Sequence, residues 1–94
     1  MRDFFAKMHQ TALISCVELA LMQTSNTKFH LTVAKLRSYD TTINKSYNHA
    51  EYLRIVLKGV YENDYDRIIN EIKMCLGDLV NEQDIAEFFK IMES

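Results

Sequence analysis

The amino-acid sequence predicts an all-α fold, a compact bundle of four or five short helices in a single domain. Its 94 residues suit one domain and leave no room for two. The sequence has no proline and only two glycines, so few positions suit the tight turns that join strands. Apolar residues make up 48% of the chain and recur at helical spacings through most of its length.

The first predicted helix covers about residues 2–24 and is apolar around most of its circumference. Such a helix must be covered on several sides, either by the rest of the domain or by a partner. We therefore expect a homodimer whose self-interface includes Leu13, Ile14, Val17 and Leu21. The apolar positions at helical spacing are Phe4, Phe5, Met8, Ala12, Leu13, Cys16, Val17, Ala20 and Leu21.

The apolar run at residues 12–22 also resembles the core of a secretory signal peptide. Glu18 interrupts the run, and no small-residue cleavage motif follows it. The run is also shorter than the roughly 18 apolar residues that a membrane-spanning helix needs. We expect a cytoplasmic protein that does not enter a membrane.

Residues 27–39 follow a polar break and allow two interpretations. Phe29, Leu31 and Val33 alternate as in a strand, whereas Phe29, Val33 and Leu36 share one face of a helix. A single strand would have no strand to pair with, so the sequence favours a helix over about residues 27–39 without excluding the strand.

Three further helices are predicted at about residues 49–62, 64–79 and 82–93. Each follows an asparagine that has an acidic residue three positions later, which is typical of a helix N-cap. An apolar stripe at helical spacing also follows each of these asparagines. The capping signal and the stripe therefore predict the same helix starts. The three pairs are Asn48 with Glu51, Asn63 with Asp66, and Asn81 with Asp84.

The two cysteines, Cys16 and Cys75, are too few for a disulfide framework and match no zinc-binding pattern. Both lie inside apolar runs. We expect them to be buried and reduced, packing as small apolar side chains.

Charge is unevenly distributed although the net charge is only −2. Residues 28–58 carry six basic and two acidic side chains, and residues 59–94 carry three basic and nine acidic ones. Such segregation can steer a protein partner or a second copy of the chain. The alternative is a nucleic-acid-binding transcriptional regulator that uses the basic segment 28–58, although a denser basic stripe is usual for that function. The basic patch comprises Lys28, Lys35, Arg37, Lys45, Arg54 and Lys58.

The sequence contains no arrangement that points to catalysis. Its three histidines are far apart and lack the spacings of zinc ligands, and neither glycine belongs to a phosphate-binding loop. We expect no enzymatic activity, cofactor, metal or small-molecule substrate. Tyrosine is enriched at interfaces, so Tyr47, Tyr61 and Tyr65 are candidates for a partner surface, with a half-buried edge of the core as the alternative.

The C-terminal half, residues 49–92, resembles the small archaeal domains called Nitrosopumilus output domains, and the first half resembles them more loosely. This resemblance implies a non-catalytic module of archaeal signal transduction, with no catalytic residues to transfer. The chain departs from the family pattern at Ala50, where proline is usual, and lacks a glycine near residues 25–27. The matching residues are Glu51, Tyr52, Leu53, Val56, Leu57, Lys58, Tyr61, Tyr65, Ile68, Ile69, Ile72, Leu76, Ile85, Phe88 and Phe89, with Val33, Leu36 and Tyr39 in the first half.

Overall fold

Five α-helices form a single all-α domain in the computed structural model, which describes the backbone of residues 2–94 and the side chains of residues 7–94. The predicted fold class is confirmed, and no strand occurs within residues 2–94. Short 3-10 helices at Glu62–Asp64 and Gly77–Asn81 separate the last three helices. The helices are α1 (Arg2–Thr24), α2 (Asn26–Arg37), α3 (Ala50–Tyr61), α4 (Tyr65–Leu76) and α5 (Gln83–Met92).

Helix α1 lies at the centre of the bundle and contacts α4, α2 and α5. The rest of the domain therefore covers much of its apolar surface, which is one of the two outcomes that its sequence allowed, although Leu19 and Met22 stay exposed. The predicted stripe is buried from Leu13 to Leu21, whereas Met8 is half exposed. Phe4 and Phe5 lie outside the described side chains.

Residues 27–39 form a helix rather than a strand, since α2 covers Asn26–Arg37. One extended residue, Ser25, separates α1 from α2, and its hydroxyl accepts a hydrogen bond from the Lys28 N–H at 3.2 Å. This is an N-cap that satisfies a backbone donor of the first turn. A loop at residues 38–49 then brings α3 back along α2, so the two helices run antiparallel.

The three predicted asparagine caps are wrong in detail, although α3, α4 and α5 start close to the predicted positions. The N-cap residues are His49, Asp64 and Glu82, each one residue after the predicted asparagine, and none makes a side-chain capping hydrogen bond. Turn or 3-10 backbone precedes each of these helices. The first-turn N–H groups therefore lie too far along the chain for the asparagine side chains to cap them.

The prediction of two buried, reduced cysteines is also wrong. Cys16 and Cys75 form a disulfide between α1 and α4, with their Cα atoms 5.8 Å apart. Cys16 is buried, but Cys75 is exposed on the last turn of α4. The two residues are 59 positions apart, and only the packing of α1 on α4 brings them together.

Candidate functional site

The four residues predicted at a self-interface lie in the core of the single chain. Leu13, Val17 and Leu21 are fully buried, and Ile14 is 5% exposed. Side chains that are covered within their own domain cannot also contact a second copy. The self-interface prediction is therefore wrong for these residues, because α2, α4 and α5 cover the helix that carries them.

Two of the three tyrosines predicted at a partner surface are buried and hold helices together. The Tyr61 hydroxyl donates to the Leu21 carbonyl oxygen at 3.1 Å, and the Tyr65 hydroxyl donates to the Met92 carbonyl oxygen at 2.6 Å. The Met92 carbonyl lies at the C-terminal end of α5, where no helical N–H remains to donate, whereas the Leu21 carbonyl also accepts from the Ser25 N–H at 3.0 Å. The partner-surface prediction is wrong for Tyr61 and Tyr65.

Three of the six predicted basic-patch residues are engaged in contacts within the chain. The ammonium groups of Lys28 and Lys58 lie over the rings of Tyr61 and Tyr65, at 5.8 and 5.4 Å from the ring centroids. Arg54 and Lys58 donate to the backbone oxygen of Ser94, at 3.2 and 3.5 Å. Among the ion pairs of residues 7–94, none includes the exposed residues Lys35, Arg37 and Lys45.

Tyr47 belongs instead to a polar cluster that joins three parts of the chain. Asp84, in the first turn of α5, accepts hydrogen bonds from the Tyr47 hydroxyl at 3.0 Å and from the backbone N–H of Ile85 at 2.9 Å. Its carboxylate also lies 3.1 Å from Nδ1 of His9 on α1. The Tyr47 ring stacks on Phe88 with the centroids 6.4 Å apart.

The electrostatics of this cluster favour an ionised carboxylate beside a neutral phenol. Burial raises the pKa of Asp84, but the hydrogen bonds from Tyr47, His9 and the Ile85 N–H outweigh it, so that this pKa is lowered. Burial and the hydrogen bond to Asp84, with the negative charges of Asp84 and Glu87, raise the pKa of Tyr47 to about 12. The three side chains therefore satisfy one another, and we assign the cluster a structural role as a clasp between α1, the α2–α3 loop and α5.

A groove between α2 and α3 brings exposed apolar side chains together with a basic one. It has a volume of about 430 Å³, and its lining includes Tyr39 and Ile55, which are 40% and 49% exposed. Leu31, 45% exposed, lies one helical turn before the lining residue Lys35 and so extends the groove along α2. We call this surface, with Leu31 beside it, the α2–α3 groove; its lining residues are Lys35, Ser38, Tyr39, Ile55, Val56 and Gly59.

Local structure fixes the shape of the α2–α3 groove. Tyr39, which lines the groove, stacks on Tyr52 with ring centroids 5.1 Å apart. Gly59 also lines the groove, and a Cβ atom at this position would meet nothing within 4 Å. The groove could not be predicted from the sequence, because the exposure of Leu31 and Ile55 depends on how α2 packs on α3.

No other cluster in the described residues offers the chemistry of a reactive site. No group of three or more His, Cys, Asp or Glu residues within this part of the chain is arranged to hold a metal ion. None of the described helices combines the length and the apolar character that crossing a membrane requires. Met8, Leu19 and Met22 are also exposed, but they are spread over almost the whole length of α1.

Comparisons of the chain with protein-family models, curated proteins and solved structures find no match. The resemblance of residues 49–92 to Nitrosopumilus output domains therefore stays a prediction, and the function has to be argued from the geometry of the chain itself.

Proposed function

We propose that this chain is a non-catalytic protein-interaction module that binds an acidic, amphipathic helix of another protein in the α2–α3 groove. The observation that carries the proposal is the groove itself, where exposed Leu31, Tyr39 and Ile55 lie together on a basic pair of helices. Apolar side chains that group at a concave surface are typical of interaction sites, whereas isolated ones need no explanation.

The shape of the groove suits a helix. Two antiparallel helices leave a furrow between them, and an amphipathic helix can lay its apolar face in such a furrow. Leucines of the partner helix would contact Leu31 and Ile55, with the lack of a side chain at Gly59 giving them room. Tyr39 and Tyr52 would contact the bound helix through their stacked rings.

Charge selects an acidic partner. Helix α2 contains no acidic residue, and α2 and α3 together carry five basic side chains and one acidic side chain. Lys35 lies in the groove itself, and Arg37 is exposed two residues further along α2. Carboxylates on the flanks of a bound helix would be attracted to this surface, which raises the association rate and disfavours basic partners.

This arrangement favours a protein partner over nucleic acid. Three of the six basic residues, Lys28, Arg54 and Lys58, already contact aromatic rings or the Ser94 carbonyl. The remaining three are spread over α2 and the following loop, whereas nucleic-acid binding uses a dense basic stripe. A signalling role in the archaeal cytoplasm agrees with the resemblance to output domains and is part of the same proposal.

The proposal is tested with two synthetic peptides that share a leucine face. One carries glutamates on its flanks and the other carries lysines, and binding to the whole chain is followed by fluorescence anisotropy. We expect the glutamate peptide to bind and the lysine peptide not to bind. Equal binding of both peptides, or binding of neither, would contradict the proposal.

Substitutions then locate the binding site. Ile55→Gln should weaken binding of the glutamate peptide by about fourfold to tenfold, because burying the exposed half of this side chain contributes roughly 0.8–1.5 kcal/mol. Met74→Gln is the matched control: Met74 is 80% exposed on α4 and lies outside the groove, so its loss should leave the affinity unchanged. A substitution that fills the groove, Gly59→Leu, should also abolish binding without a steric clash at its Cβ atom.

Charge reversal gives a second, independent readout. Lys35→Glu should weaken the glutamate peptide and strengthen the lysine peptide, whereas Lys90→Glu on α5 should affect neither. Duplex DNA and RNA are titrated in parallel at about 50 mM salt, where binding to phosphates is strong. Salt-dependent binding of nucleic acid with no response to Ile55→Gln would favour the regulator alternative and overturn the proposal.

A further inference from the structure

The Cys16–Cys75 disulfide joins two residues whose exposure differs sharply. Cys16 is 7% exposed and belongs to the core on α1, whereas Cys75 lies exposed on the last turn of α4. The Cys75 end of the bond is therefore the end nearer to solvent. Thiol–disulfide exchange depends on which sulfur can be attacked and on access to it.

The chain around Cys75 is the less tightly packed side of this bond. Met74, its neighbour, is 80% exposed, and α4 ends at Leu76 with Gly77 in a left-handed conformation, φ 60°. The 3-10 helix that follows, Gly77–Asn81, contains no fully buried residue; Leu79 and Val80 are only partly covered. The disulfide therefore fixes a segment that packing alone holds weakly.

We propose that Cys75 is an attack site for dithiol reductants and that the Cys16–Cys75 bond is a reversible switch. A thiolate of the dithiol attacks the Cys75 sulfur, forming a mixed disulfide, and the Cys16 sulfur leaves with the bonding electron pair and takes a proton from water. The second thiol of the reductant then attacks the mixed disulfide and releases the Cys75 thiol. The dithiol is oxidised to a cyclic disulfide, and the chain gains two electrons and two protons.

Opening the bond releases one end of α4 and leaves the core in place. Leu13, Val17 and Leu21 of α1 and Ile68 and Ile72 of α4 stay fully buried around the site, so the two helices remain packed. The segment from Met74 to Asn81 loses its covalent attachment to α1. Oxidised and reduced forms thus share one fold and differ in the mobility of the α4 end.

Single-cysteine variants test the asymmetry. Cys16→Ser leaves Cys75 as a free exposed thiol, and Cys75→Ser leaves Cys16 as a free buried thiol. We expect Cys75 to react with Ellman's reagent at least about tenfold faster than Cys16 in the native protein, since access controls thiol reactivity. In denaturant the two rates should become equal, which excludes an intrinsic difference. Similar native rates, or a faster Cys16, would overturn the proposal.

Reversibility is tested on the unmodified chain with dithiothreitol as the dithiol. We expect native protein to gain two hydrogen masses in dithiothreitol and to lose them in oxidised dithiothreitol, with the same helical circular dichroism in both forms. Amide hydrogen exchange should accelerate at residues 74–81 and stay unchanged in the middle of α1. If the disulfide opened only in denaturant, or if reduction accelerated amide hydrogen exchange throughout the chain, the bond would be a permanent structural cross-link and the proposed switch would be overturned.

Discussion

Asp84 is the residue at which three segments of the chain meet. Its carboxylate accepts from Tyr47 in the α2–α3 loop, from the backbone of α5, and from His9 on α1. Its position in the first turn of α5 also places the negative charge at the positive end of the helix dipole. One ionised side chain therefore holds the last helix against the first.

Replacing Asp84 should destabilise the fold in a pH-dependent way. Asp84→Asn should lower the free energy of unfolding by about 1–2 kcal/mol at neutral pH, since hydrogen bonds to a charged group are lost. The pKa of Asp84 is lowered in the folded state, so this stabilisation is present above the unfolded pKa of about 3.9 and disappears as pH falls through the folded value. Urea denaturation across the acid range measures the difference.

The exposed residue Asp78 supplies the control for this measurement. Asp78→Asn should change the unfolding free energy by less than about 0.5 kcal/mol at every pH, as is usual for surface substitutions. If the difference in unfolding free energy between Asp84→Asn and the unmodified chain stayed the same in acid, the stabilising role of the ionised Asp84 carboxylate would be contradicted.

Three tyrosines should titrate late in alkali. The pKa of Tyr47 is raised to about 12, and burial also raises the pKa of Tyr65 to about 12 against the opposing charge of Arg54. Burial raises the pKa of Tyr61 as well. Unfolded chains release these protons near pH 10, so stability should fall between pH 10 and 12. Ultraviolet absorbance of the phenolate follows the titration: Tyr47→Phe and Tyr65→Phe should each remove one late proton, and in denaturant all tyrosines should titrate together.

Single residues were the hardest part of the site to predict from sequence. The sequence allowed the tyrosines to lie at a half-buried edge of the core. Whether a tyrosine side chain can be buried depends on which carbonyl its hydroxyl reaches, and the Tyr61 hydroxyl reaches the Leu21 carbonyl near the end of α1, 40 residues away. Asp84 was interpreted only as support for a cap at Asn81. Its partner His9 is 75 residues distant, and no local spacing links the two.

The ends of α3 and α4 have the same backbone shape but different residues. Glu62 after α3 has φ 49° and ψ −110°, and Gly77 after α4 has φ 60° and ψ −129°. Glycine adopts this conformation without a clash, whereas a side chain at positive φ is strained. The turn after α3 is therefore formed at an energetic cost that the turn after α4 avoids.

Glu62→Gly should raise the free energy of unfolding by roughly 1 kcal/mol, because it relieves this strain. Gly77→Ala, the reverse change at the matching turn, should lower it by a similar amount. Chemical denaturation measures both. Opposite signs for the two substitutions are required, and a destabilising Glu62→Gly would contradict the strain.

Whole helices were easier to predict from the sequence than single residues, because apolar spacing indicates which face of a helix is buried. The stripes of α3, α4 and α5 lie in the core, including Leu53, Ile68 and Phe88. The asparagines correctly predicted where the turns between helices lie, but not the capping hydrogen bonds. A few residues of turn or 3-10 backbone are enough to separate an asparagine side chain from the first-turn N–H groups of the helix. Among helices α2 to α5, α2 alone has a side-chain cap, at Ser25, and the sequence pattern did not predict it.

For the whole molecule, the disulfide closes a long loop and should contribute substantially to stability. The 59-residue separation predicts that reduction lowers the unfolding free energy by about 4 kcal/mol in the chain-entropy description. Urea denaturation with and without a reductant measures this difference. The double variant Cys16→Ser, Cys75→Ser is the control and should show no effect of the reductant.

Global architecture separates what sequence could predict from what it could not. An all-α domain follows from helical spacing and the lack of turn residues, and these are local properties. The α1–α4 disulfide and the α2–α3 groove are contacts between distant segments, which depend on how the helices pack. The four residues expected at a dimer surface are buried for the same reason: α2, α4 and α5 pack on the side of α1 that carries them.

The bond between Cys16 and Cys75 encloses α2 and α3 in a covalent ring and leaves α5 outside it. Mechanical tension applied through residue 94 would therefore detach α5 first and break the hydrogen bonds of Asp84 and Tyr65. The covalent ring that carries the α2–α3 groove would stay closed. The rupture record of a single molecule in optical tweezers should show a short first extension in oxidising buffer, with the enclosed length appearing only after reduction.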